Sequence, residues 1–349
     1  MDIFMTGANG FVGLNIVSAL VVAGHRITAY VRAGSNTSFL EPFGVRIVRG
    51  SLDDAAAIGA AMRGADAVIH TAGNTSCNRR DLPALLAANV HGTQNVVDAA
   101  VANGVSRIVY TSTTSTMGAT DGASRPADET TPLRGFRARS PYAITKRHAE
   151  EIVLSAQQRG VQCIVLNLAE VVGACDHTLQ WGRMVLAVQH DQVPFVPPGG
   201  GSFCAATEVA RAHVSALTRG RSGERYILGG ADASYERFIN TTAQVLGKSC
   251  RLPRSNYTWL YAKALLQEKL PALVPGRPVV EPYRMRVFGG IYHFDSAKAV
   301  RELGYECAPL TRMLHECADW YRRNGYFGAP ERTETTPVQE ERATWIPEH

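Results

Sequence analysis

The chain has 349 residues, of which 45% are hydrophobic and 19% charged, a composition that excludes a disordered or fibrous protein as the main state. Its 36 basic and 31 acidic residues give a formal net charge of +5, and because the basic residues are scattered, we expect no nucleic-acid partner. Seven cysteines at no metal-ligand or CxxC spacing predict reduced thiols, and the N-terminus has no export signal. We therefore expect a cytoplasmic protein that does not span a membrane.

Short β-branched runs alternate with alanine-rich helical patterns through the first half of the chain. The predicted helices lie near residues 10–24, 54–62, 84–103 and 140–159, and the predicted strands at 2–5, 26–31, 45–48, 67–70, 106–111 and 162–166. Strands that are apolar on both faces and separated by helices are typical of a parallel sheet covered on both sides. The pattern therefore predicts an α/β fold with a doubly wound parallel sheet.

The segment TGANGFVG at residues 6–13 follows the first strand and opens the first helix. In a dinucleotide site the first glycine permits a tight turn, the second lets backbone N–H groups approach the pyrophosphate, and the third lets helix and strand pack closely. A turn that merely contains glycines is the alternative. The strand before the motif and the helix after it favour a Rossmann-type nucleotide site.

The end of the second strand indicates which dinucleotide binds. An Asp or Glu there would bind the ribose 2′-OH of NAD, whereas an arginine accommodates the 2′-phosphate of NADP. This chain has Arg32 in the segment YVRAGS and no carboxylate. NADP(H) is therefore favoured and NAD(H) stays open, and a solvated surface arginine is the alternative role for Arg32.

A tyrosine and a lysine share one face of the helix predicted from residue 140. In SPYAITK, Ser140 is a candidate N-cap, Pro141 takes the first helical position, and Tyr142 and Lys146 are four residues apart. A phenol with an ordinary pKa of about 10 is a poor acid or base near neutrality, and a nearby cation favours its ionised form. The spacing predicts an acid/base pair.

Several segments occur together in one order, namely TGANGFVG, AYVRAGS, AVIHTAG, ANVHGTQNV, RIVYTSTTSTMG, DETTPL, SPYAITK, GERYILGG and AVRELGY. In this combination the chain, over about residues 1–327, resembles the extended short-chain dehydrogenase/reductase family of NAD(P)-dependent epimerase/dehydratase type. It is most similar to the branch that holds dihydroflavonol-4-reductase-like reductases and hopanoid-associated sugar epimerases.

The resemblance implies a role for each matching position. Tyr142 would be the general acid/base, Lys146 would lower its pKa and bind the nicotinamide ribose, and Thr113, with Ser112 as the fallback, would bind the substrate carbonyl. Asn89 would either contact the cofactor side or anchor a helix kink. The remaining implied cofactor contacts are Gly7, Asn9, Gly10, Phe11, Val12, Gly13, Arg32, Ser51, Leu52, Thr71, Ala72 and Gly73.

The chain departs from the family pattern on the adenine side and on the substrate side. Gly50-Ser51-Leu52 replaces the usual G-D-L, so the adenine contact would pass to the Ser51 hydroxyl and the Leu52 backbone. The segments NLAE at 167–170 and GACD at 173–176 replace the usual N-P-S or R-P and G-P-G-D. We therefore expect a nonstandard nicotinamide and substrate side.

Composition divides the chain into three parts. Residues 1–175 form the predicted dinucleotide-binding domain, to which segments of the second half return, and 176–328 form a smaller substrate lobe. Prolines and glycines predict loops there, including a run between 253 and 282, before helices at 296–303 and 310–323. The polar segment 329–349 is predicted to be a flexible tail.

These observations predict an NADP(H)-dependent oxidoreductase that interconverts a carbonyl and a secondary alcohol on a small substrate, with no metal. Aromatic residues around Trp181 favour a partly apolar or aromatic substrate, whereas four arginines of the lobe would suit a phosphate or carboxylate, namely Arg183, Arg254, Arg284 and Arg286. The alternatives are a sugar-nucleotide epimerase/dehydratase with retained NAD(P) and a non-catalytic dinucleotide sensor. The resemblance also implies a homodimer through the helices near 84–103 and 140–159.

Overall fold

A seven-stranded parallel sheet organises the chain in the computed structural model, which describes residues 1–120, 125–249, 252–253, 256–270 and 280–328. The strand order is β3-β2-β1-β4-β5-β6-β9, which confirms the predicted doubly wound sheet. The predicted tail at 329–349 lies outside the described residues. The strands of this sheet are β1 Asp2–Thr6, β2 Arg26–Val31, β3 Arg46–Arg49, β4 Ala67–His70, β5 Arg107–Thr113, β6 Gln162–Leu168 and β9 Glu224–Leu228.

Helices cover both faces of this sheet because its strands are apolar on both sides. In β1, Ile3 and Met5 belong to one buried cluster and Phe4 to the cluster on the opposite face. The helices of the first half are α1 Phe11–Val22, α2 Ala55–Ala61, α3 Leu82–Leu85, α4 Gly92–Ala102 and α5 Pro141–Ser155. Those of the second half are α6 Gly182–Gln189, α7 Ala206–Ala216, α8 Tyr235–Val245, α9 Tyr257–Lys269, α10 Pro282–Phe288, α11 Ala297–Leu303 and α12 Leu310–Arg323.

The strand order reverses between β1 and β4. From β1 the chain continues to β2 and β3 on one side, and β4, β5, β6 and β9 follow on the other. In open sheets of this kind ligands bind outside the carboxyl ends of the strands at such a reversal. This edge therefore holds the candidate site.

A second, three-stranded sheet forms beside the first. Its strands are β7 Glu170–Val172, β8 Gly200–Ala205 and β10 Ala231–Ser234, with β7 parallel and β10 antiparallel to β8. Its buried side chains pack with α6, α8 and α12 in one apolar cluster. Meanwhile α7 packs against α1, and β9 pairs with β6, so parts of the second half return to the large sheet.

The loops predicted between 253 and 282 are wrong in part, because this stretch contains α9. Its cap is clear, since Asn256 accepts a hydrogen bond from the Trp259 backbone N–H at 3.1 Å. Its apolar side chains, however, do not define one buried face, since only Ala264 is buried and Trp259 is 60% exposed.

The region predicted as one helix over 84–103 is interrupted by a π-helical segment, Leu86–His91. No helix of the described ranges is long and apolar enough to cross a membrane.

Gly13→Ala tests the close packing of the first turn of α1. An added Cβ would lie 2.0 Å from the Gly7 carbonyl oxygen, so we expect a loss of about 1–3 kcal/mol of stability. Gly59→Ala in α2 is the matched control, because the nearest neighbour of its added Cβ, Nδ2 of Asn103, is 4.0 Å away and alanine favours the helix by up to about 1 kcal/mol. Thermal unfolding should show a lower Tm only for the first variant. Equal Tm values would contradict the packing argument.

Candidate active site

The turn between β1 and α1 comes very close to the chain that leaves β4. Gly7 has a φ of +69°, and an added Cβ there would lie 2.6 Å from the Ala72 backbone nitrogen, so only glycine fits. Gly10 is the N-cap of α1, without a side-chain cap or an acidic residue in the first turn. The backbone N–H groups of Phe11, Val12 and Gly13 in that turn therefore meet no competing carboxylate, as a pyrophosphate site requires.

Hydroxyl groups hold the segment after β4 in place beside this turn. The Thr6 hydroxyl accepts a hydrogen bond from the Ala72 N–H at 3.2 Å and lies 2.6 Å from Nδ1 of His70. The Thr71 and Thr111 hydroxyls are 2.9 Å apart. These hydrogen bonds position Thr71, Ala72 and Gly73 along the crevice between the ends of β1 and β4, where the strand order reverses.

Asn89 joins three segments next to the crevice. Its Oδ1 accepts from the Asn74 N–H at 2.7 Å, and its Nδ2 donates to the Asn74 carbonyl at 2.9 Å and to the Thr145 hydroxyl at 3.1 Å. It lies within the π-helical segment Leu86–His91, and an added Cβ at Gly73 would be 3.1 Å from its Oδ1. These contacts are those of a structural anchor directly behind the loop at Gly73.

The far end of the crevice lies at β2 and β3. Arg32 is exposed there, and Arg49 at the end of β3 orders the adjoining loop by donating to the Ala33 and Ser35 carbonyls at 3.2 and 3.0 Å. Nothing in the motif pattern indicated Arg49. Nearby, the Ser51 hydroxyl accepts from the Asp53 N–H at 3.2 Å, and the Leu52 carbonyl accepts from Asn95 at 2.8 Å. The Asn9 side chain also reaches this loop and donates to the Asn36 carbonyl at 3.3 Å.

Thr113 and Tyr142 meet at the carboxyl end of β5. Ser140 caps α5 and Pro141 takes its first position, as predicted, which brings Tyr142 to this edge. Burial raises the pKa of Tyr142 well above its ordinary range, and the nearby Cys77 thiol adds to that effect. A hydrogen bond with the Thr113 hydroxyl acts in the opposite direction. The two hydroxyls that the sequence singled out therefore lie close enough for Thr113 to influence the pKa of Tyr142.

Lys146 binds a different phenol. Its ammonium donates to the Tyr110 hydroxyl at 2.5 Å and to the Thr111 carbonyl at 2.8 Å, and it lies 4.2 Å from the centre of the Tyr110 ring. Burial lowers the pKa of Lys146 to about 7, although the charge of Glu150 opposes this. The resemblance implies that Lys146 lowers the pKa of Tyr142, and its direct phenol partner is Tyr110, a buried residue of the RIVYTSTTSTMG segment to which no role was assigned.

Glu150 is a buried carboxylate that the sequence analysis missed. Its Oε1 accepts from Thr116 at 2.8 Å, from Asn167 at 2.7 Å and from the hydroxyl of Ser112, while its Oε2 lies 3.5 Å from Arg225. Ser112, the fallback for Thr113, is thus engaged away from Tyr142. The sequence could have indicated Glu150, because it follows Lys146 by four residues and lies on the same helix face.

The aromatic and basic residues of the second half that the sequence suggested for substrate binding lie in different parts of the structure. Trp181 packs in the apolar cluster of the small sheet, with its ring 5.5 Å from that of Tyr235. By contrast, the Arg284 charge is close enough to Cys77 and to Tyr142 to lower the pKa of each. Arg286 lies 4.3 Å above the ring of Phe136, and Arg254 lies outside the described residues. Arginine therefore borders the candidate site and Trp181 does not.

Comparisons with known proteins show which proteins the chain is similar to. The model of the NAD dependent epimerase/dehydratase family matches residues 3–229. A Synechocystis sp. protein provisionally named a dihydroflavonol 4-reductase is 30% identical over 332 residues, which cover 93% of this chain and 95% of that protein. A Stigmatella aurantiaca protein named 4-hydroxy-2-methyl-3-oxo-4-farnesyl-3,4-dihydroquinoline-1-oxide ketoreductase is 31% identical and covers 87% of this chain and 92% of its own. The crystal structure of gox2253 superposes with a TM-score of 0.79 at 29% identity, over 93% of this chain and 98% of that chain.

Proposed function

The chain belongs to the NAD dependent epimerase/dehydratase family, the extended short-chain dehydrogenases/reductases, and within this family we propose an NADP(H)-dependent reductase. The broader class is that of NAD(P)-dependent oxidoreductases of carbonyl and alcohol groups, to which the chain belongs. Its substrate is a small, partly apolar or aromatic carbonyl compound. Residues 1–175 hold the dinucleotide and residues 176–328 cover the substrate. The proposal rests on the proximity of Thr113, at the end of β5, and Tyr142, in the first turn of α5.

Thr113 and Tyr142 bind the carbonyl oxygen and provide its proton. The bound dinucleotide supplies the hydride that forms the new C–H bond on the carbonyl carbon. Tyr142 gives its phenol proton to the carbonyl oxygen, and in the oxidative direction it accepts that proton. Lys146, buried one helical turn away with a pKa lowered to about 7 by burial, orders the strand end through Tyr110 and Thr111 and would bind the nicotinamide ribose.

The dinucleotide lies along the crevice at the strand reversal. The glycine turn and α1 hold its pyrophosphate, Arg32 binds its 2′-phosphate, and Asn89 supports the loop beside it. The proposed contacts are Gly7, Asn9, Gly10, Phe11, Val12, Gly13, Arg32, Ser51, Leu52, Thr71, Ala72, Gly73, Asn89, Tyr142 and Lys146.

One observation favours the second candidate, a sugar-nucleotide epimerase/dehydratase that retains its cofactor. Arg284 stands close enough to Tyr142 to influence its pKa, and a guanidinium there could bind a diphosphate. Arg32 in place of an acidic residue, and a curated relative named as a ketoreductase, favour the reductase. A purely sensory protein would not need the Thr113 and Tyr142 pair.

Tyr142→Phe tests the reductase. With NADPH and a panel of aromatic ketones and aldehydes we expect kcat to fall by about 10²-fold or more, because the phenol proton is lost, while NADPH binding measured by fluorescence stays largely intact. Tyr261→Phe in α9 removes a phenol elsewhere and should leave kcat unchanged. Substantial activity in Tyr142→Phe would refute its role. A wild-type enzyme that reduces no carbonyl, retains its cofactor through purification and converts a UDP-sugar would establish the second candidate.

Arg32→Ala tests the preference for NADP(H). Loss of a charge-assisted contact to the 2′-phosphate should weaken NADPH binding about 10- to 100-fold and barely change NADH binding, as titration calorimetry measures. Arg46→Ala is the matched control, since this exposed arginine lies at the opposite end of β3. An equal loss of affinity for both cofactors would mean that Arg32 does not select between them.

We also propose a homodimer in the cytoplasm, formed through α4 and α5. These helices pack side by side and present exposed residues, among them Ile144, which is 38% exposed. Light scattering at micromolar concentration should give twice the monomer mass, and a monomer would remove this proposal.

A further inference from the structure

Two polar side chains each have one buried atom without a hydrogen-bond partner among the described residues. They are Oε2 of Glu170 and Nη1 of Arg137. Glu170 begins β7, and its other oxygen accepts from the Tyr235 hydroxyl at 3.1 Å. Arg137 is 8% exposed; its Nη2 donates to the Thr114 carbonyl at 3.2 Å, and its guanidinium lies 4.5 Å from the centre of the Tyr292 ring.

The segments that bear both groups are hydrogen-bonded to the chain at the end of β5. The carbonyl of Thr113 accepts from Asn167, three residues before Glu170, at 3.2 Å, and the next carbonyl in the chain, that of Thr114, is the one that binds Arg137. The Arg137 charge is also close enough to Glu170 to lower its pKa. The residue that contacts Tyr142 is therefore held between the segments that bear the two groups.

The pair presents two hydrogen-bond donors. Burial raises the pKa of Glu170 to about 8, although the Tyr235 hydrogen bond and the Arg137 charge act the other way, so at neutral pH the carboxyl is mostly protonated. Its unpartnered oxygen is then the site for an O–H donor. No carboxylate lies within salt-bridge distance of Arg137 in the part of the chain that the structure describes, and a buried guanidinium without an anion is costly.

We propose that Glu170 and Arg137 bind a carboxylate carried by the same molecule as the reacting carbonyl, so that the preferred substrates are oxo acids. The inference rests on the proposed reductase and deepens it by naming the substrate class. One O–H and one N–H donor match the two oxygens of a carboxylate, and the single buried cation matches its single charge. A phosphate has more oxygens and up to two negative charges. This pair would therefore leave some of its oxygens without a donor and part of its charge without a cation.

The test compares three oxo acids with their methyl esters, namely benzoylformate, benzoylacetate and 3-benzoylpropanoate. Each ester keeps the reacting ketone and loses the charge, so the acid-to-ester ratio of kcat/KM isolates recognition of the carboxylate and cancels the titration of the catalytic groups. With NADPH at pH 6.5 we expect at least one acid to exceed its ester about tenfold, mainly through KM. Three acids are needed because they vary the distance between carboxylate and ketone.

The pH dependence identifies Glu170. Above pH 8 the wild-type ratio should fall about tenfold per pH unit, because an ionised Glu170 repels the acid and not the ester. The other titratable groups facing Glu170 are Tyr235, Arg137 and the Cys204 thiol, with Tyr292 beyond Arg137. Burial raises the pKa of Tyr235, Tyr292 and Cys204 and lowers that of Arg137 from a very high ordinary value, so Glu170 ionises first.

Glu170→Gln should keep the preference for the acid and lose the fall above pH 8, because its amide donates a hydrogen bond and does not ionise. Glu236→Gln, the same change at an exposed neighbour of Tyr235, should behave as wild type.

Arg137→Met should reduce the acid-to-ester ratio to about one, and thermal unfolding checks that the variant folds. If it does not fold, the pH profile of Glu170→Gln decides alone. Ratios near one for all three pairs, with the esters reduced, would overturn this inference and leave the reductase intact. If no carbonyl were reduced, the proposed function would itself be wrong.

Discussion

The close approach of the β1–α1 turn to the chain leaving β4 is the constraint on which the candidate site depends. An added Cβ at Gly7 would lie 2.6 Å from the Ala72 nitrogen, and the Thr6 hydroxyl accepts from the N–H of Ala72 at 3.2 Å. These contacts fix the crevice where the strand order reverses. Because neighbouring strands are parallel, β5 and β6 end at the same edge, and Thr113 and the segment leading to Glu170 therefore arrive there as well.

Desolvation at this edge decides which groups carry charge. Burial lowers the pKa of His70 to about 3 and that of His213 to about 4, so both rings are neutral at working pH. His70 then joins the Thr6 and Thr93 hydroxyls at 2.6 and 2.9 Å, and His213 lies 2.8 Å from the Thr111 hydroxyl. Neutral rings can hold strand ends together without placing charge beside the ammonium of Lys146.

Hydrogen-bond partners also distinguish two carboxyl groups at this edge, those of Glu150 and Glu170. Glu150 receives three side-chain hydrogen bonds and has Arg225 at 3.5 Å. Glu170 receives one, from Tyr235, and burial raises its pKa to about 8. Two glutamates near one site thus differ in their hydrogen-bond partners, a property that composition and spacing do not reveal.

The sequence by itself determined the parallel sheet, the glycine turn and the helix that starts at Ser140, because hydrophobic periodicity, turn glycines and caps act over a few residues. Those signals weaken in the second half, where α9 buries only Ala264 and was predicted as loop. Tertiary structure alone decided that Lys146 meets Tyr110, that Glu150 meets Arg225, and that Arg137 approaches Glu170. These partners lie 36, 75 and 33 residues apart in the chain, so their proximity follows from how the strands and lobes pack, and no local pattern encodes it.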